Sequence, residues 1–342
     1  MSSAKLGPFN LITDVAGLTV GNAEDEGALT GATVVICEEP AVAAEDVRGG
    51  APGTREIDAL DPAGLVEEVH AIVLSGGSVF GLDAASGVVH WLSERGVGFT
   101  FATEHLPCPV VPSAILFDLR NGGDKTWREP PYRLLGRKAC EAAQETFALG
   151  NAGAGFGATA GIFKGGLGSA SIIWEGITVG ALAAVNSFGS PADPLSGALW
   201  AGAMAIDGEY PLGKAPGLGF RSPQAWSKAE RDPAAAAAGA NTTIAVVATD
   251  AALTRVEAKR LAIMAADGMA RAIRPIHTPF DGDTVMALAT GRIDLAGPRP
   301  ASLSAIGTLA ADTLARAIAR GMWEAQGIPG WPSYRDKVGA AP

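Results

Sequence analysis

The chain has 342 residues, 48% of them hydrophobic and 18% charged, enough apolar material for a large core and for surface that a homo-oligomer would cover. A formal charge of −10 without any run of five Lys/Arg argues against a nucleic-acid partner, because phosphate recognition needs basic clusters. Cys37, Cys108 and Cys140 form no CxxC, and His70, His90, His105 and His277 form no HExxH, so no disulfide framework, metal centre or histidine triad is expected.

Periodicity predicts strands over roughly 10–20, 32–37, 71–75, 110–118, 168–174, 177–186, 243–249 and 284–290, and helices over roughly 78–94, 132–148, 194–207, 254–272 and 302–323. The apolar stretch 71–92 is broken by Gly76, Gly77, Gly81, Asp83 and Gly87, so no membrane span is expected. Thr254 and Glu257 form a capping-box pattern ahead of a helical face carrying Leu261, Met264, Ala265 and Gly268. The last helix repeats that face with Ile306, Leu309, Ala310, Thr313, Leu314 and Ala317. Residues 223–240 pass from polar to alanine-rich and read as a mobile linker, although the alanines could equally make a short helix.

After that linker, Asn241-Thr242 opens directly into a β-branched apolar strand. A threonine hydroxyl needs an adjacent base, and the nearest one is its own α-amino group, released by cutting the Asn241–Thr242 bond. An α-amino group titrates at roughly 7.7–8.0 and is substantially neutral near physiological pH. Two plainer readings stand beside this one. Thr-Thr suits any strand, and Asn-Thr-Thr fits a glycosylation site, which needs export. Met-Ser-Ser-Ala-Lys-Leu-Gly-Pro carries no apolar signal core, and a cytoplasmic location is expected.

Other segments could complete such a site. Asp281-Gly-Asp283 places two carboxylates around a glycine before a strand, able to share hydrogen bonds with a hydroxyl and an ammonium; it could also be a solvated turn or part of a calcium loop lacking its other ligands. Lys164 is a lone cation in the glycine-rich stretch 150–168, able to lower an amine pKa or balance the aspartates, or simply a surface lysine. Asn186 ends an apolar strand, where its amide could donate to an oxyanion or cap a turn. Gly153-Ala-Gly155-Phe-Gly157-Ala158 passes for a dinucleotide fingerprint but follows a predicted helix instead of a strand.

Taken together, 46–56, 74–82, 111–118, 153–168, 183–186, 241–244 and 281–284 resemble, in the same order, the self-processing peptidase family of L-aminopeptidase/D-esterase DmpA, β-peptidyl aminopeptidases and nylon-oligomer hydrolases. The resemblance implies an αββα layered α/β sandwich similar to N-terminal-nucleophile hydrolases (DmpA/ArgJ-like). It further implies cleavage into chains 1–241 and 242–342 and commonly a tetramer. It carries the nucleophile to Thr242, the oxyanion amide to Asn186, the pocket lysine to Lys164 and the acidic pair to Asp281 and Asp283. Thr242 and Asp-Gly-Asp are closer to the nylon-oligomer branch, yet Phe117 stands at a substrate-facing position where that branch has tyrosine. The expected activity is hydrolysis of a small amide or peptide through an acyl-threonine, without cofactor. The alternatives are acyl transfer of the ornithine-acetyltransferase type and a non-catalytic ligand-binding member of the fold.

Overall fold

The longest strand, Thr30–Val47, belongs to both halves of one mixed sheet and bends between them. A computed structural model describes residues 4–100, 106–210, 215–231 and 241–338; His105 and residues 232–240 of the expected linker lie outside these. In chain order the elements are β1 (Leu18–Asp25), β2 (Thr30–Val47), β3 (Thr54–Arg55), β4 (Glu68–Ser75), α1 (Ala84–Ser93), β5 (Ser113–Ile115), α2 (Tyr132–Glu141), β6 (Thr159–Ala160), β7 (Phe163–Lys164), β8 (Leu167–Trp174) and β9 (Ile177–Asn186). There follow α3 (Lys228–Arg231), β10 (Thr242–Ala251), α4 (Arg255–Ala272), β11 (Thr284–Ile293), α5 (Arg299–Glu324) and α6 (Tyr334–Val338).

The sheet order is β3-β5-β4-β2-β11-β10-β9-β8, with β1 also paired to β2. The first part of β2 pairs antiparallel with β1 and β4; after a register shift between Ile36 and Ala41, residues 42–47 pair with β11. Period-two alternation then sorts the side chains into three layers of core. Val35, Ile72 and Leu74 from one half meet Leu182, Ile244, Val246 and Leu288 from the other in a central layer. Val34 and Val73 face the opposite way, onto α1 and α2 through Val88 and Leu135. Val185, Ala245 and Val247 face α4 and α5 through Leu261, Ala265 and Leu314. The result is the αββα sandwich expected.

Both faces of β9 and β10 are covered and every residue of the two strands is buried, which is why they read as continuous apolar runs. The capping box of α4 forms: Glu257 N donates to Thr254 Oγ1 at 3.3 Å, and Thr254 N donates to Glu257 Oε2 at 2.8 Å. Gly268 lets α4 cross α5 closely, since a Cβ there would collide with the Ala311 carbonyl oxygen. Across the layers, buried Arg316 pairs with Glu209 at 2.6 Å and also reaches Asn10 Oδ1 and the Ser171 carbonyl, joining α5 to the N-terminal segment and β8.

Several elements differ from the periodicity. The predicted helix over 194–207 is irregular apart from a short 3-10 turn at Gly202–Met204. Here Asp193 accepts from Ser196 Oγ, Gly217 N and Arg221 Nε, and Gly197 takes φ +78°, so side-chain bonding displaces helix formation. The strand over 110–118 shrinks to Ser113–Ile115, the helix over 132–148 stops at Glu141, and the first strand begins at Leu18 behind a 3-10 turn, Ile12–Asp14. Among the described residues no helix is long and apolar enough to cross a membrane.

Candidate active site

Thr242 begins β10 with its side chain on the central layer, by the same alternation that points Ile244 and Val246 there. It is buried, and its register partner across the antiparallel β9–β10 ladder is Asn186, the last residue of β9. On the other side Asn241 makes a parallel bridge with Asp281, just ahead of β11. The 241–242 junction is therefore clamped between the ends of two strands.

The carbonyl oxygen of Asn241 accepts from two donors: the backbone N–H of Gly282 at 2.9 Å and the hydroxyl of Thr242. A glycine is required at 282. A Cβ there would lie 2.8 Å from Thr242 Oγ1 and 2.7 Å from the Ala51 carbonyl oxygen. The Arg48–Gly53 segment supplies that wall, with Ala51 N donating to the Asp281 carbonyl at 2.8 Å and Arg48 N to that of Asp283 at 3.0 Å.

The two carboxylates are both buried and each holds backbone. Asp283 accepts from Thr243 N at 2.7 Å through Oδ1, and from the backbone N of His277 at 3.0 Å through Oδ2, which also lies 2.9 Å from His277 Nδ1. Asp281 accepts from Phe188 N at 3.0 Å and from the N–H and hydroxyl of Thr278. Burial, reinforced by the neighbouring Asp283 charge, pushes the Asp281 carboxyl above the usual carboxylate range. Neither side chain is directed to the Thr242 hydroxyl by a described hydrogen bond; they position its neighbours on both strands.

Lys164 sits at the end of β7, buried, with Nζ donating to the Gly155 carbonyl at 2.9 Å and the Gly165 carbonyl at 2.7 Å. The glycine-rich stretch thus turns its carbonyls inward to solvate an ammonium that water cannot reach. Burial pulls its pKa down to about 7, against the opposing pull of Asp118. Asn186 Oδ1 accepts from Thr159 N at 2.9 Å, and its Nδ2 donates to the carbonyl of half-buried Phe117 at 3.0 Å.

Three further groups join the site without having stood out in the sequence. Asp118, ending an apolar run, is buried and accepts from Thr30 Oγ1 at 2.6 Å and Gly77 N at 2.8 Å; burial raises its pKa. Lys228 lies in the segment that reads as a linker, yet its ammonium is buried and donates to the Asn186 carbonyl at 3.0 Å and Oδ1 at 3.2 Å. His277, at φ +55°, joins the acidic turn through Asp283. A terminal carboxylate on an apolar strand is a usable signal for Asp118, and Trp226 beside Lys228 is one for an anchored segment.

A buried hydroxyl thus heads a central strand of an αββα sandwich and is hydrogen-bonded to the preceding carbonyl. Residues 10–334 match peptidase family S58, and the chain belongs to that family. It is 45% identical over 352 residues to an uncharacterized aminopeptidase of Mycobacterium tuberculosis (strain ATCC 25618 / H37Rv), covering 96% of this chain and 98% of that protein. It is 32% identical over 289 residues to the 6-aminohexanoate-oligomer endohydrolase of Kocuria sp. (strain KY2), covering 82% of this chain and 75% of that protein. Its fold is shared with a Burkholderia sp. beta-aminopeptidase (TM-score 0.70, 22% identity, 100% and 98% of the two chains). It is shared too with the L-aminopeptidase D-Ala-esterase/amidase of Ochrobactrum anthropi, described as a variant of the Ntn hydrolase fold (TM-score 0.67, 20% identity, 97% and 91%).

Proposed function

We propose that the chain is a self-activating amide hydrolase whose nucleophile is Thr242. The observation that carries this reading is the Thr242 hydroxyl lying against the carbonyl of the peptide bond before it, with Gly282 N–H already donating to that oxygen. In maturation Thr242 Oγ attacks the Asn241 carbonyl carbon. Negative charge develops on the Asn241 oxygen, which the Gly282 N–H stabilises. The C–N bond breaks, the nitrogen takes the hydroxyl proton, and water hydrolyses the resulting ester to leave Asn241 as a carboxylate and Thr242 with a free amine.

In turnover that amine accepts the Oγ proton as the hydroxyl attacks a small amide or peptide. Asn186 faces Thr242 across the ladder, and among the described residues one of its two Nδ2 hydrogens goes to Phe117, which leaves a donor for the substrate oxyanion. The α-ammonium returns that proton to the leaving nitrogen, which departs as a neutral amine, and water then hydrolyses the acyl-threonine, restoring the hydroxyl and releasing the acid. Asp283 and Asp281 hold the strand ends that carry Thr242 and Asn186, and Lys164 supplies positive charge. Phe117 lines the substrate side. The aminopeptidase and oligomer-endohydrolase names of the relatives support amide-bond chemistry.

Intact mass of purified protein tests the reading. Fragments of 241 and 342 − 241 = 101 residues are expected, with threonine at the new amino terminus, and Thr242→Ala should leave one full-length chain. An enzymatically active preparation containing only the full-length chain would overturn it.

A further inference from the structure

The short segment that ends at Arg231 is tied down along its length. Trp226 stacks edge-on against Phe163 at 5.6 Å, Lys228 N donates to the Phe188 carbonyl at 2.9 Å, and Arg231 donates to the Ile162 carbonyl at 3.2 Å while lying over Trp331. This anchoring delivers the Lys228 ammonium, 4% exposed, to Asn186 alone: the backbone oxygen at 3.0 Å and Oδ1 at 3.2 Å are its two described side-chain hydrogen bonds. Oδ1 also receives Thr159 N at 2.9 Å and Thr159 Oγ1 at 3.4 Å. With donors on Oδ1 from two directions, the amide cannot flip.

We propose that Lys228 is a positioning residue that acts through Asn186: its ammonium locks the amide with Nδ2 toward Thr242 and polarises it into a stronger donor for an oxyanion. A cation on an amide oxygen draws density from nitrogen and makes the remaining N–H more acidic, an effect that grows where water is excluded. The inference rests on the reading that Asn186 stabilises the oxyanion. The acidic groups that face Lys228 are Asp281, from the turn before β11, and Asp118, from the segment after β5; both favour the charged amine, while burial pulls its pKa down to about 7. Lys164 shares the Asp118 field from the β7 side.

Acylation of the processed enzyme by 4-nitrophenyl acetate, followed as nitrophenolate release and as added mass on the 242–342 chain, reads the step directly. Lys228→Met should slow acylation about 10- to 100-fold with little change in ester KM, a part of the ~10²–10³ typical of one oxyanion donor. Lys228→Arg, which cannot lose its charge, should recover most of the rate and keep it at alkaline pH where the wild type declines. In the Asn186→Ala background, Lys228→Met should cost almost nothing more, because its route is gone. Additive losses in that cycle, or an unchanged rate in Lys228→Met, would overturn the inference and leave Asn186 in place. No effect of Asn186→Ala would overturn both readings. If Lys228→Met does not fold, Lys228→Gln enters the same cycle; a lowered melting temperature with an unshifted rate and pH profile would mark Lys228 as merely structural.

Discussion

Thr242 and Asn186 stand directly opposite each other at the ends of β10 and β9, so one ladder position joins the residue after the 241–242 bond to the amide beneath it. Chemistry at that position depends on strand register, and a slip of β10 by one residue would turn the Thr242 side chain away from the central layer and from Asn186.

Gly282→Ala should slow self-cleavage by about 10²-fold or more, on the scale of a lost oxyanion contact. The added methyl would sit 2.8 Å from Thr242 Oγ1, pushing the hydroxyl or the Gly282 N–H out of line. The time course of the full-length band after synthesis, followed by gel, measures this; cleavage at the wild-type rate would remove Gly282 from the mechanism.

Asp283→Asn keeps one acceptor for Thr243 N but places an NH2 where the His277 backbone N–H donates and its Nδ1 approaches. Hydrogen bonds to a charged group contribute about 1.5–3 kcal/mol each. In a Thr242→Ala background, where cutting cannot interfere, urea titration should show the variant less stable by about 2 kcal/mol on that scale, and in the parent chain it should mature more slowly.

Stability should rise with pH above neutrality. In the folded protein Lys164 and Lys228 release their protons near pH 7, whereas the unfolded chain keeps them to about 10.4, so between these values the unfolded state binds more protons. This contribution is present in full above the unfolded pKa and is lost as pH falls through 7. Asp281, shifted upward, acts with the opposite sign and in the acid range. Melting of Thr242→Ala from pH 6 to 9 checks the slope, which Lys164→Met should reduce.

Glu209→Ala should destabilise the fold by about 3–5 kcal/mol, because it strands Arg316 in the interior without its carboxylate. Replacing both, Arg316→Met with Glu209→Leu, should recover much of the loss in denaturant titration.

The strands flanking the site are readable because both faces are covered: the predicted strand 177–186 has the observed bounds, and β10 and α4 agree within a few residues. Residues 41–47 of β2 are not readable, since Glu38, Glu39 and Pro40 interrupt the apolar pattern where the strand bends from one half-sheet into the other. The apolar spacing at 194–207 marks burial of Ala198, Leu199 and Ala201, and spacing alone does not distinguish that burial from a helix. Lys228 hides in a low-complexity neighbourhood because local composition carries no information about what a short anchored turn touches. The same holds for Asp118, whose partners Thr30 and Gly77 lie far away in sequence.

The position of β10 and β11 has a last consequence. They lie between β9 and the second part of β2, laddered on both sides. A backbone nick at 241–242 therefore yields two polypeptides that are interleaved, with the shorter one threaded through the middle of the longer one's sheet. They could part only by global unfolding, so the mature form should travel as one particle in any non-denaturing separation and resolve into two in detergent.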